Sequence, residues 1–218
     1  DITHQISPFN ITETAYILKN SYKSFPDGTI HIIGVDSELS STNKHIALAI
    51  DNHYFVCPDN GLICMITKDI KPTKVVEINI HDRIESSFPV LDVFVQVACF
   101  ISRGGNLTVI GKETKSYKEM TEIQPKVSQD QKIITGGVIY IDNYGNIISN
   151  INKKIFTEIG KGRDFKISAA RYTFTKIIHK YNEILGDDAT NVRQFDGNKL
   201  ALFNSAGYLE IAIYRSNL

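Results

Sequence analysis

The stretch Asn10-Ile11-Thr12-Glu13-Thr14-Ala15-Tyr16-Ile17-Leu18-Lys19-Asn20-Ser21-Tyr22-Lys23-Ser24-Phe25-Pro26-Asp27-Gly28-Thr29-Ile30-His31-Ile32-Ile33-Gly34-Val35-Asp36 contains a complete change of structural period. Asn10 reads as a helix N-cap, since its side-chain oxygen can accept from the orphan N–H groups of a first turn, and Glu13 stands where a capping box needs it. Ile11, Ala15, Leu18 and Tyr22 share one helical face. Phe25-Pro26-Asp27-Gly28 stops the helix in a turn. Thr29 to Val35 is mostly apolar, as a strand buried on both faces must be, and it ends at Asp36. Helix, turn and buried strand in alternation predict an α/β domain with a mainly parallel sheet under helical cover.

The flanking sequence extends this reading. His45 to Ile50 and Tyr54 to Cys57 read as a hairpin closed by Asp51-Asn52-His53, and Pro58-Asp59-Asn60-Gly61 is a strong turn. Val75 to Ile80 is a further strand. Asp92 to Arg103 is helical, with Val93, Val97 and Phe100 on one face and Gly104-Gly105 as its stop. From Lys115 to Lys132 the chain turns polar and loses periodicity, which places a boundary near Gln124 to Gln131. The expected domains are 1–127, α/β, and 128–218, small and mainly β. In the second, two β-rich runs surround Asp142-Asn143-Tyr144-Gly145-Asn146, and a short helix is expected over Lys153 to Ile159. A second hairpin, Leu200 to Phe203 and Tyr208 to Tyr214, surrounds Asn204-Ser205-Ala206-Gly207.

Composition narrows the function classes. The chain has 218 residues, 42% of them hydrophobic, enough for a sizeable core. Lys+Arg and Asp+Glu are 24 each, so no broad electrostatic case exists for nucleic acid or an anionic membrane. No apolar run reaches the length of a membrane span, and no secretory signal is visible in a sequence that begins at Asp1. Cys57, Cys64 and Cys99 show no CxxC spacing, and an odd count is a poor disulfide framework. They are expected to be reduced and mostly buried, in a cytoplasmic protein. The histidines stand at no metal-ligand spacing, so neither a metal nor a separate cofactor is expected, and there is no P-loop or GxGxxG fingerprint.

The turn Asp142-Asn143-Tyr144-Gly145-Asn146 crowds a carboxylate, a ring and an amide together. An amide can pair with a purine edge and an aromatic face can stack on it. The same residues also make a polar hairpin tip for backbone reasons alone, and the segment by itself leaves both readings open.

Three further segments accompany it: Asp1-Ile2-Thr3-His4, Cys57-Pro58-Asp59-Asn60-Gly61 and Asn204-Ser205-Ala206-Gly207-Tyr208-Leu209-Glu210-Ile211-Ala212. In order and spacing the four resemble the S-adenosylmethionine hydroxide adenosyltransferases, a family that includes fluorinases and chlorinases, over nearly the whole chain. The resemblance implies an α/β N-terminal domain, a barrel-like C-terminal domain, and a homotrimer that holds its ligand between one subunit's first domain and its neighbour's second. It also implies that the family's first strand, with a ribose-binding aspartate, and its last strand lie outside the given sequence. The ligand-binding residues it implies are Phe88, Asp142, Tyr144, Asn146, Ser205 and Glu210, with S-adenosylmethionine as substrate or ligand.

The family reaction is displacement at C5′ of S-adenosylmethionine, and its hydrolases use an Asp–Arg–His group. The aspartate and arginine come from a loop of the form Asp-Pro-Gly-Val-Gly-Ser-x-Arg. Here that loop reads Asp36-Ser37-Glu38-Leu39-Ser40-Ser41-Thr42-Asn43, so Asp36 matches and Asn43 stands in the arginine's place. The family's Phe-His-Gly-Arg-Asp reads Phe88-Pro89-Val90-Leu91-Asp92, with proline for the histidine. Asparagine brings no charge and proline no hydrogen-bonding side chain. Asp36 is therefore the one catalytic candidate. Two functions are expected to compete: a hydrolase with weakened apparatus that releases adenosine and methionine, and an inactive protein that binds adenosyl ligands. The bulk of Val90 argues against a halide site.

Overall fold

The computed structural model describes residues 1–67, 70–80, 86–186 and 191–216. The chain divides into two compact units, Asp1–Glu122 and Ile123–Leu218.

Unit 1 opens on helix α1 (Ile11–Ser21). Asn10 caps it as expected, accepting from the Glu13 N–H at 3.0 Å, while the Glu13 carboxylate reaches back to the Ser7 N–H. Strand β1 (Ile30–Ile32) follows the turn at Gly28, then β2 (His45–Ile50), β3 (His53–Pro58), the short helix α2 (Leu62–Ile66), β4 (Lys74–Ile78), helix α3 (Val95–Ser102) and β5 (Gly111–Glu113). The strand order is β1-β3-β2-β4-β5.

Among the described strands of this sheet only β1 and β3 pair in parallel; β3–β2, β2–β4 and β4–β5 are antiparallel. The expectation of a mainly parallel sheet is thus corrected. The reason is local. Asp51 and Asn52 both take positive φ, 51° and 62°, the backbone of a two-residue hairpin turn, and so short a connection can join only antiparallel strands. β3 and β4 do run the same way, joined through α2 as a parallel crossover, but β2 lies between them.

Side-chain alternation buries both sheet faces. Ile46, Leu48, Ile50, Phe55 and Cys57 pack against Ala15, Leu18 and Tyr22 of the α1 segment and against Leu62 and Ile66 of α2. Ala47, Val56, Val76 and Ile78 face the other way, onto Val93, Phe94, Val97 and Ile101. Val93 and Val97 are buried as expected, and Gly104 ends that helix at φ 83°. Helices therefore do cover the sheet. Cys57 is buried, but Cys99 is exposed on the outer side of α3, contrary to the expectation for the cysteines as a set.

Unit 2 contains the ribbon β6 (Lys126–Val127) with β7 (Ile134–Thr135), then β8 (Val138–Ile141), β9 (Ile147–Asn152), helix α4 (Lys153–Gly160), the ribbon β10 (Ile167–Ala169) with β11 (Tyr172–Phe174), β12 (Lys199–Phe203) and β13 (Tyr208–Ile213). Asn152 caps α4 by accepting from the Ile155 N–H. The main sheet runs β12-β13-β9-β8 and is antiparallel throughout. The unit is mainly β, but among the described residues this sheet is open, with β12 and β8 at its edges, so the barrel-like expectation is corrected. A barrel must pair its last strand to its first, and the remaining strands are two short, separate ribbons. No helix among the described residues is long and apolar enough to cross a membrane.

Candidate functional site

Asp142, Tyr144, Asn146, Ser205 and Glu210, expected from the sequence, all line one open cleft of about 770 Å³ in unit 2. The β8–β9 turn brings the first three, the β12–β13 turn brings Ser205, and β13 places Glu210 opposite Ile148 of β9. The turn is built on its aspartate. Asp142 Oδ1 accepts from the Tyr144 and Asn146 N–H groups, both at 2.9 Å, and Gly145 takes φ 81°. Such local carboxylate-to-backbone bonding is why aspartate begins turns of this kind. On the other side of the cleft Asn204 Oδ1 accepts from the Ala206 and Tyr208 N–H groups, which leaves Ser205 exposed at the tip.

A hydrogen-bond chain runs along the cleft floor. Asn146 Nδ2 donates to Asp142 Oδ2 at 2.9 Å and to the Tyr181 hydroxyl at 3.2 Å, and that hydroxyl donates to the Glu210 carboxylate. Burial, then the hydrogen bond and charge of Glu210, then the charge of Asp142, push the Tyr181 phenol up, so it stays protonated. Asn146 and Glu210 are buried, whereas the Tyr144 ring is 72% exposed. Tyr181 was not expected from the sequence. It lies in a short helical turn, Tyr181–Leu185, and carries no motif of its own.

Asp36 and Phe88 lie in unit 1, where both line one cavity of about 800 Å³ together with Gly34, Val35 and Val90. Asp36 takes φ 51°, a left-handed conformation that aspartate tolerates better than most residues. The loop it opens is held by side chains on its carbonyls. Asn60 Nδ2 donates to Val35 O at 3.1 Å, Asn43 Nδ2 to Asp36 O and Glu38 O at 2.9 Å each, and His45 Nε2 to Ser37 O at 2.8 Å. His45 is fully buried and meets the Phe94 ring edge-on at 4.6 Å. Asn43 is therefore a clamp on the loop backbone. Its Oδ1 is buried and has no hydrogen-bond partner among the described residues.

Phe88 is 56% exposed and belongs to the cavity wall, not to the core. Pro89 starts a wide helical turn, Val90–Phe94, that runs into α3. Proline suits this place, because the first helical N–H groups have no intrahelical partner to lose. Ser86 Oγ accepts from the Phe88 N–H and donates to Asp92 Oδ2 at 2.7 Å, so Asp92 helps to fix the turn. Val90 crowds Gly34, where an added Cβ would come within 3.0 Å of Val90 Cγ2.

Models of the SAM hydroxide adenosyltransferase N-terminal and C-terminal domains match residues 1–111 and 136–218. The chain belongs to the SAM hydroxide adenosyltransferase family. It is 28% identical over 225 residues to the (R)-S-adenosyl-L-methionine hydrolase of Methanocaldococcus jannaschii, covering 100% of this chain and 76% of that protein. It is 26% identical over 152 residues to the (R)-S-adenosyl-L-methionine hydrolase of Salinispora arenicola, a match that takes in 67% of this chain and 58% of that protein, less than two thirds of its length. The structure of an uncharacterized conserved protein from Thermotoga maritima superposes with a TM-score of 0.81 at 27% identity, over 100% of this chain and 81% of that one. In this family member the loop that begins at Asp36 and the turn that begins at Asp142 both fall within the matched domains.

Proposed function

We propose that this protein hydrolyses S-adenosylmethionine to adenosine and methionine. Family membership supports the reaction class, and the gathering of Asp142, Tyr144, Asn146, Ser205 and Glu210 in one cleft is the observation that carries the reading. Water attacks C5′, the C5′–S bond electrons return to sulfur, and methionine leaves as a neutral thioether that needs no general acid. The protein must then position the water and exclude bulk solvent. Asp36 is assigned to accept a hydrogen bond from the attacking water and to receive its proton. Phe88 lines the ligand's path, Tyr144 stacks on the purine, Asn146 pairs with its edge, Asp142 holds the turn, and Ser205 lies toward the methionine end. S-adenosylmethionine is the substrate, and the proposal includes no metal or further cofactor. The proposal includes a cytoplasmic location and, on the family resemblance, a homotrimer.

Asn43 and Pro89 make the rate low. Asn43 spends both its donor contacts on loop carbonyls, and Pro89 offers no polar side chain. These two positions also favour the second reading, a protein that binds the adenosyl ligand without turnover. Incubation with S-adenosylmethionine, with adenosine and methionine followed chromatographically, decides between them when binding is measured calorimetrically in parallel. Slow turnover abolished by Asp36→Ala supports the hydrolase. Binding without turnover supports the second reading. Turnover that survives Asp36→Ala removes Asp36 from the mechanism.

A further inference from the structure

We propose that Tyr181 and Glu210 act as positioning residues that lock the Asn146 amide with its oxygen toward the cleft, so that the site selects a nucleobase presenting an N–H donor there, a 6-aminopurine over a 6-oxopurine. The inference rests on the nucleoside-binding role proposed for this cleft and specifies its chemistry.

The argument is one of donors and acceptors. The oxygen and the nitrogen of an asparagine side-chain amide are alike in shape, and the hydrogen-bond network decides which is which. Here the network has one consistent solution. Asp142 is a carboxylate and accepts only, so the atom 2.9 Å from its Oδ2 must be the Asn146 nitrogen. Glu210 also accepts only, so the Tyr181 hydroxyl spends its one proton on Glu210 and must itself accept from its other neighbour. That neighbour is again Asn146 Nδ2, at 3.2 Å. Both amide hydrogens are then used, one toward each carboxylate-terminated arm. The oxygen is the polar atom of Asn146 left to the cleft, whose wall Asn146 helps to form. The chain from Asn146 through Tyr181 to Glu210 can run in one direction only. A site with a fixed acceptor rejects a ligand that puts another acceptor against it, because both groups would be left unpaired in a partly desolvated pocket.

None of this is visible near the turn itself. Tyr181 is 35 residues from Asn146 and 29 from Glu210 in sequence. It gives Glu210 a defined role: the buried carboxylate terminates the chain and sets its polarity, without needing to touch the ligand.

The test is calorimetric binding of adenosine and inosine to the full chain and to its Tyr181→Phe variant. Wild type should favour adenosine by about ten-fold or more, the discrimination that one correctly matched hydrogen bond supplies. Tyr181→Phe removes a single hydroxyl from a ring that is 37% exposed; it takes away one of the two acceptors of Asn146 Nδ2 while Asp142 Oδ2 still holds the other hydrogen, so the ratio should fall part of the way toward one. Asp142→Asn is the second variant: it replaces the obligate acceptor by an amide, allows Asn146 to present its nitrogen instead, and should shift the ratio toward inosine. Loss of selectivity in either variant supports the inference. A wild-type ratio kept in both, with folding verified by circular dichroism, overturns it. Adenosine binding without discrimination by wild type also overturns it while leaving the nucleoside site standing. Failure of wild type to bind either nucleoside or S-adenosylmethionine overturns the proposed function and this inference with it.

Discussion

Asn43 is the residue whose meaning the structure changes most. By type it is a weak stand-in for an arginine; by position it is a two-pronged tie on the carbonyls of Asp36 and Glu38. A guanidinium could not sit where the buried Asn43 Oδ1 now sits without displacing its neighbours. Asn43→Arg is therefore expected to loosen the loop and to lower stability by about 1 kcal/mol, the net worth of the part-buried hydrogen bond to Asp36 O, with little added by the exposed one to Glu38 O. Thermal denaturation would register this as a lower midpoint. A midpoint at or above wild type would show that the loop has room for a charged side chain and that Asn43 is no clamp. Asp142 at the same scale was legible from sequence, because every partner its Oδ1 uses lies within the turn it begins.

Among the elements, β5 shows how closely two strands can be tied to one glycine. A Cβ at Gly111 would lie 1.9 Å from the Glu77 carbonyl oxygen of β4, a backbone atom that cannot swing aside. Gly111→Ala should therefore force β5 off β4, or strain both, at a cost of about 1–3 kcal/mol. Faster amide exchange in 111–113 and 76–78, with the rest of unit 1 unchanged, is the expected signature; wild-type protection there would mean that the strand absorbs the methyl. Helix ends were easier to read than sheet order. The Asn10 and Asn152 caps depend on residues three positions away, whereas β2 sits between β3 and β4 for reasons that no window of sequence contains.

For the molecule as a whole, acid should reveal the buried imidazole pair in unit 1. His31 Nε2 lies 3.2 Å from His53 Nδ1, with Tyr22, Phe25 and Phe55 around it. Burial first, and then the His53 charge, lower the His31 pKa from 6.5 to about 4. Above 6.5 both folded and unfolded forms are neutral at this site, so it adds no pH dependence. Below 6.5 the unfolded chain takes up the proton while the folded one refuses it, so stability falls as pH drops toward about 4, where the folded form titrates as well. Urea midpoints between these limits should decline with falling pH, and His31→Gln should flatten the upper part of that decline. An equal slope in the variant would place the acid sensitivity elsewhere. The proposed trimer makes a separate demand: light scattering at micromolar protein should give about three times the 24.5 kDa chain mass, and a monomer would leave the proposed site without its partner subunit.

Sequence alone determined what short range can determine. The period change between Asn10 and Asp36, the hairpin at Asp51-Asn52, the helix over Lys153 to Ile159 and the Asx-type turn at Asp142 all follow from residues a few positions apart, whose backbone preferences and side-chain reach do not depend on the rest of the chain. Order and spacing of four such segments also pointed to the family that the domain matches then showed. Tertiary structure decided the rest. It placed β2 inside the sheet and made most of the pairing antiparallel, left the second sheet open, turned Asn43 and His45 onto the Asp36 loop, and joined Tyr181 to both Asn146 and Glu210. Each of these joins groups whose proximity arises only once strands have chosen neighbours, and that choice is made by burial summed over both sheet faces, a quantity no local pattern carries.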